Sequence, residues 1–374
     1  MTVIAAAKYN TPVIKKNQPD DSFNFRPLPQ PTGNYPYHLA LQQVCPEIGE
    51  QQIVFHMVGD TGSIRNTNFQ QLIAAVMEEQ YNANLPEEQP KFLYHLGDVV
   101  YLHGEASGYK SQFFKPFHNY PGPILAIAGN HDSDVNPDSL ERYDSLDAFK
   151  TVFCDTVSRH VIFSGEDARK SMIQPNVYWT LEMPLGTIIG LHSNVPKYGV
   201  ITKEQREWFI NELRTTKLKR PGKALIICLH HAPYSADINH GSSIPMIEFL
   251  EGAFLETGIR PDIVFSGHVH NYQRFAKTYA DGLAVPYIVA GAGGFDELHA
   301  VASKADERFT ANSTLFDGVK LEHYCDNKHG FLKISIKKTE SGMDLTGEYY
   351  TLSHETQPGP ELTAILEDRF VVHI

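Results

Sequence analysis

Cysteine is scarce and scattered. The 374 residues hold four, Cys45, Cys154, Cys228 and Cys325, and no two are close enough to form a CxxC pair. That excludes a thiolate zinc finger and a dithiol redox motif. Four buried thiols in a reducing compartment are the expected state, a bonded Cys45 in an exported protein being the alternative. Positive charge is also short: 32 Lys and Arg stand against 44 Asp and Glu, a formal net charge of -12. Such a surface repels phosphate backbones, so general nucleic-acid binding is not expected. A cation held in a pocket can still draw in a phosphate ester, because the local field decides. No apolar run approaches the ~18 residues of a membrane-spanning helix. There is no solenoid repeat and no block of like charge. The opening MTVIAAAKYNTPVIKK has a short apolar stretch with no basic residue before it. A secretory leader is therefore not expected, and the chain reads as cytoplasmic, or as exported if a leader has been trimmed.

What is present is a core-forming composition: 42% hydrophobic and 20% charged residues, enough for one large globular domain with extensions. Residues 1–50 are rich in Pro, Asn and Gln without a clear period and read as an extended arm on the main domain, or as partly disordered. From about residue 51 the pattern becomes strand, loop, helix. Short apolar runs at 53–58, 92–96 and 124–128 each end in a glycine followed by a polar residue. Phe69, Leu72, Ile73, Val76 and Met77 recur with helical period, with Asn66 or Thr67 as cap. Further strands are expected at 177–182, 187–192, 224–229, 263–266, 287–290, 331–336 and 345–350. A helix is expected over 203–215, with Thr202 and Gln205 as a capping box. Alternating apolar strands and helices predict an α/β layered architecture with helices outside. The domain is expected to span 51–355, and 356–374 to be a tail.

Five polar blocks follow strands: Gly59-Asp60-Thr61-Gly62, Gly97-Asp98-Val99-Val100-Tyr101, Gly129-Asn130-His131-Asp132, His230-His231-Ala232-Pro233-Tyr234 and Gly267-His268-Val269-His270. In α/β sheets ligands collect beyond the carboxyl ends of strands, so five such tips converge on one pocket. Carboxylate, amide oxygen and imidazole suit Zn, Fe or Mn. Two ions about 3.5–4 Å apart, bridged by one carboxylate, can polarise a phosphoryl oxygen and generate hydroxide at neutral pH. Each block alone is weak; a strand-end Gly-Asp is usually a turn. The ordered set of five is specific. Gly291-Ala292-Gly293-Gly294 lacks the Lys-Ser/Thr of a nucleotide loop and reads as a flexible turn at the rim. His56, His95 and His192 read as core residues. His103 reads as support for a neighbouring ligand, and His299, His323 and His329 show no ligand pattern.

The blocks resemble those of the calcineurin-like metallophosphoesterase superfamily over about residues 51–300, most sharply in Asp-Ile-Val-Phe-Ser-Gly-His-Val-His-Asn-Tyr at 262–272. That resemblance implies a four-layer α/β/β/α sandwich with two facing mixed sheets. Most of the superfamily has histidine two residues after the first aspartate; here that residue is Gly62. A tyrosine three residues after the second aspartate, Tyr101, is similar to the purple acid phosphatase branch. The resemblance then implies Asp60, Asp98, Tyr101 and His270 around one metal, with Asp98 bridging, and Asn130, His268 and a lone histidine around the second. Iron is implied at the Tyr101 site and Fe, Zn or Mn at the other. Tyr234, four residues on, favours His230 as the lone histidine; His231-Ala232-Pro233 is the competing match. His131 and the unused neighbour, His231, would line the pocket. His240, ten residues after His230, stands where plant purple phosphatases have substrate-facing histidines and could protonate a leaving alkoxide. Asp132 departs from the branch, which usually has glutamate there. The implied activity is hydrolysis of small phosphate esters, phosphomonoesters foremost, by metal-activated hydroxide. A phosphodiesterase on nucleotides or lipid head groups, a phosphoprotein phosphatase and an inactive metal-free scaffold are the alternatives.

Overall fold

A computed structural model describes residues 7–65, 68–82, 85–218, 222–352 and 363–374. Two mixed sheets share one continuous hydrophobic core. In the six-stranded sheet, Gln52–Val58, Leu93–His95 and Ile124–Ala126 run parallel. Gly330–Thr339 pairs antiparallel with the first of these, followed by Gly342–Thr351 and Ile365–His373. In the eight-stranded sheet Gly186–Gly190, Ala224–Leu229, Ile263–Ser266 and Ala284–Ala290 form a parallel centre. Trp179–Glu182 and His38–Ala40 extend one side, Tyr272–Thr278 and Val319–Cys325 the other. The parallel strands are buried along almost their whole length, as strands covered on both faces must be.

Several expectations need adjusting. Within the N-terminal segment, His38–Ala40 joins the sheet as an edge strand, and Ile14–Lys15 pairs with Phe309–Thr310. Part of the expected tail, Ile365–His373, is a strand, because the edge of Gly342–Thr351 offers it unpaired backbone groups; 356–362 lie outside the described residues. So does the Asn66 or Thr67 cap of the helix Asn68–Tyr81. The helix Lys203–Lys217 starts as expected, with Thr202 Oγ1 accepting from Gln205 N at 3.2 Å. The Gln205 side chain does not return to the cap. It exchanges two 2.8 Å hydrogen bonds with the His192 backbone, tying the helix to the end of Gly186–Gly190.

His56, inside Gln52–Val58, is fully buried between Tyr120 Oη and Gln80 Oε1, both at 3.1 Å. Burial holds its imidazole down at about 3, from an ordinary 6.5. The unfolded chain therefore takes up the proton first. Stability is full above about pH 6.5 and falls as pH drops towards 3, by about 1.4 kcal/mol per pH unit for one such group. Denaturant titrations at pH 7 and 5 should show this loss, and His56→Gln should flatten the slope by one proton. An unchanged slope would mean that His56 is not the buried neutral group.

Candidate metal centre

Adjacent parallel strands place their tips side by side. Gly59-Asp60, Gly97-Asp98 and Gly129-Asn130 come from one sheet, His230 and Gly267-His268 from the other. The tips are sewn together: Asp60 N donates to Gly97 O at 2.9 Å and Gly267 N to His230 O at 3.0 Å. Asp60, Asp98 and His268 have φ of 58°, 54° and 67°. Left-handed backbone costs a residue with a Cβ and collects at functional sites. Here it turns each chain sharply off its strand, and Asp60 accepts from the His268 amide with both oxygens, at 3.0 and 2.9 Å. Asp132 accepts from the amides of Val99, Val100 and Gly129, clamping the third block to the second. Burial and the nearby Asp98 raise its carboxyl to about 6, against those hydrogen bonds.

Three histidines share one design. His230 Nδ1 lies 2.9 Å from Leu96 O, His268 Nε2 3.1 Å from Lys197 O, and His270 Nδ1 3.1 Å from Glu297 O. A carbonyl only accepts, so each of these nitrogens carries a proton. In the neutral ring the other nitrogen then presents a lone pair, and each faces oxygen. His230 Nε2 is 3.1 Å from Asn130 Oδ1 and 3.3 Å from Asp98 Oδ2. His268 Nδ1 is 2.9 Å from Asn130 Oδ1. His270 Nε2 is 3.6 Å from Asp60 Oδ1 and 3.3 Å from Tyr101 Oη. Lone pairs converging on oxygens, with the far nitrogens fixed by backbone carbonyls, form the arrangement that metal-ligating histidines need. The electrostatics agree. Burial opposes charge on His230, yet Asp98 and Asp60 lift it to about 9; burial and Asp98 push Asp60 well above its ordinary range. This cluster calls for positive charge, and its residues fit a metal.

Tyr101 is buried, its hydroxyl donating to Asp60 Oδ1 at 3.2 Å and its ring between His131 and Phe295. Burial, Asp98 and Asp60 drive its phenol well above 10, so only a strongly acidic cation could make it a phenolate. His131 N donates to Asp98 Oδ1 at 2.9 Å, and its Nδ1 lies 2.6 Å from Leu102 O. Between the two candidate histidines, His230 reaches Asn130 and Asp98. His231 turns to Ser193 Oγ at 2.7 Å and leaves its buried Nε2 without a partner. Its ring lies 4.3 Å from that of His268, and the His240 ring 4.1 Å from it on another side. Burial and His299 hold His240 well below the ordinary range, so at neutral pH it is an uncharged imidazole rather than a ready proton donor. His103 Nδ1 lies 3.2 Å from Asp134 Oδ2.

The glycine-rich segment is not a flexible rim. Gly293 N donates to Gly59 O, Phe295 N to Asp60 O, and residues 291–294 are buried. A Cβ at Gly293 would sit 2.1 Å from Gly59 O: the segment is packed backbone under Asp60. Sequence reasoning gave no role to the backbone carbonyls of Lys197 and Glu297, because carbonyl positions leave no trace in residue type. His299 was visible only as a histidine without a pattern, and it stacks on His270 at 4.4 Å.

Two mixed sheets with Asp, Asn and His converging from their strand tips define an α/β fold built around a candidate metal centre. The calcineurin-like phosphoesterase family model matches residues 53–272, a stretch that holds all five blocks. The chain belongs to that family, whose membership implies a dimetal centre. Purple acid phosphatase 22 of Arabidopsis thaliana is 28% identical over 198 residues, covering 49% of this chain and 39% of that protein. Purple acid phosphatase 1 of Ipomoea batatas is 28% identical over 195 residues, 47% and 37% of the two chains. The matches thus span less than half the length of these relatives. Among solved structures, GAP50, the anchor in the inner membrane complex of Plasmodium, superposes with TM-score 0.55 at 14% identity over 87% of this chain and 89% of its own. PhoD gives 0.50 at 12% identity over 92% and 71%. These share the fold. Among the described residues no helix is long and apolar enough to cross a membrane.

Proposed function

We propose that the chain hydrolyses small phosphate monoesters at a two-metal centre of the purple acid phosphatase type. The observation that carries this is the trio His230, His268 and His270, each with its far nitrogen tied to a carbonyl and its near nitrogen facing Asn130, Asp98 or Asp60. Asp60, Asp98, Tyr101 and His270 would hold one ion and Asp98, Asn130, His230 and His268 the other. Bound there, two ions would polarise the phosphoryl group and activate water. The chain's own residues do the rest. Asp132 and the Gly291–Gly294 backbone hold Asp98 and Asp60 in place, and His131, whose ring lies 4.4 Å from that of Tyr101, would meet a phosphoryl oxygen. His231 and His240 wall the side next to His268.

Elemental analysis with a visible spectrum tests this. Two metals per chain and a purple iron–tyrosinate band are expected. Tyr101→Phe should abolish the band while at least one metal remains. Two metals without colour would remove iron(III) from the Tyr101 site but keep the hydrolase. A chain that takes up no metal would return it to the scaffold class. Turnover of an aryl phosphate should exceed that of the matching diester; the reverse preference would identify a phosphodiesterase.

A further inference from the structure

Beside the centre lies a second constellation. Asp237, His240 and His299 bring one ligand atom each to within 4.8 Å of one another. Asp237 is fully buried and fixed, accepting from Asn239 N at 2.6 Å and His240 N at 2.9 Å. His299 is hung on the centre by its backbone: its amide donates to His270 O at 2.9 Å, and its carbonyl accepts from Asn271 Nδ2 at 2.7 Å. An isolated bridge between Asp237 and Val301 brings the two loops together. His240 Nδ1 and His299 Nδ1 are both buried without a hydrogen-bond partner. Leaving a buried polar atom unpaired costs about 1–3 kcal/mol, and here two such atoms stand beside one buried carboxylate. His299 Nδ1 is 3.6 Å from Asp237 Oδ1, too long for a hydrogen bond. It is close to the roughly 3.3 Å that separates two ligands of one tetrahedral ion at bond lengths of about 2.0–2.1 Å.

We infer that Asp237, His240 and His299 form a third cation site, distinct from the dimetal pair and abutting it. One carboxylate and two imidazoles suit a borderline divalent ion such as Zn(II) or Mn(II), with the remaining positions open to oxygen. Coordination through His299 Nδ1 requires Nε2 to carry the proton and Asn239, now 2.9 Å away through Nδ2, to turn its amide oxygen towards it. Lys197, which feels both Asp237 and His240, and Lys15, whose ammonium reaches Asn239 O, oppose a further positive charge. The third ion therefore binds more weakly than the pair and fills last. The site stands on its own residues; only its contribution to turnover rests on the function proposed above. The His240 ring packs tilted against His268 at 4.1 Å and His299 stacks on His270 at 4.4 Å, so an ion held between His240 and His299 would add positive charge beside the dimetal pair.

The test is the metal count of the full chain, stripped with a chelator and titrated with Zn(II) by equilibrium dialysis and elemental analysis. Wild type is expected to bind three equivalents, the last in a separate weaker step, and His299→Gln two. The difference between the chains reads the third site: one equivalent supports it and none overturns it. What His299→Gln retains reads the dimetal pair: two equivalents support it and none overturns it. Thermal melts check that the variant folds, and His240→Gln, read by metal content alone, must lose the same weak equivalent. A third equivalent that persists in both variants is bound elsewhere and overturns the inference.

Discussion

Asp98→Asn should lower turnover of an aryl phosphate by at least ~10³-fold while the chain keeps its fold. Asp98 is buried and binds two of the other blocks. Its Oδ1 accepts from the His131 amide at 2.9 Å, and its Oδ2 lies 3.3 Å from His230 Nε2. Burial alone would raise its pKa, but His230 and His131 with their hydrogen bonds hold it well below the ordinary carboxylate range. It is therefore an anion throughout the working pH range. Asparagine matches its shape and can still accept from His131 N, so the turn at Asp98 survives. What goes is the charge, and with it the anionic oxygen that faces His230 Nε2. Metal content should fall with activity, and the far-ultraviolet circular dichroism should not. A variant that retains more than a tenth of wild-type turnover would remove Asp98 from the centre of the reaction.

Much of this site was legible because each block is local. A strand, a glycine and a polar residue leave their mark within a few positions, and parallel strands place such ends together. The choice of His230 over His231 was suggested by Tyr234 and agrees with geometry that no spacing encodes: alternate residues at a strand end face opposite ways. Asp237 and His299 were invisible as a pair, since they lie far apart in sequence and the bridge that brings their loops together pairs Asp237 with Val301. In the fold, the buried parallel strands were found, as were the alternating strands around 331–336 and 345–350, whereas strands with charges set into their apolar runs were missed. Tyr272–Thr278 and Val319–Cys325 interrupt their apolar runs with Arg274, Lys277, Lys320 and Glu322. Ile365–His373 carries Asp368, which looks like surface but binds Arg274 at 2.8 Å and Tyr272 Oη at 2.8 Å, linking the two sheets. The helix Ile244–Thr257 had its signals, with Ser243 as cap, Pro245 in the first turn and Gly258 at the end.

Gly62→His, which restores the residue most of the superfamily carries, should damage this protein rather than improve it. A Cβ at position 62 would lie 2.7 Å from the Tyr101 ring, 2.8 Å from Gln112 Oε1 and 2.8 Å from Val99 O. Tyr101 fills the space into which a residue-62 side chain would grow, and Gln112 Oε1, accepting from Tyr101 N at 2.9 Å, holds it there. Glycine at 62 and tyrosine at 101 are thus two halves of one packing solution. Even Gly62→Ala should cost about 1–3 kcal/mol by overpacking, and histidine more. The damage should fall first on the Tyr101 side of the centre, so the visible band, where iron is bound, should shift or vanish at temperatures where the chain is still folded. Coupling is the decisive measurement. In a double-mutant cycle, Tyr101→Ala should recover part of the stability lost in Gly62→Ala, by about 0.5–3 kcal/mol. The recovery should be incomplete, because the Val99 carbonyl stays in place. Strict additivity would mean that the two positions are independent, and that glycine at 62 answers only to the backbone.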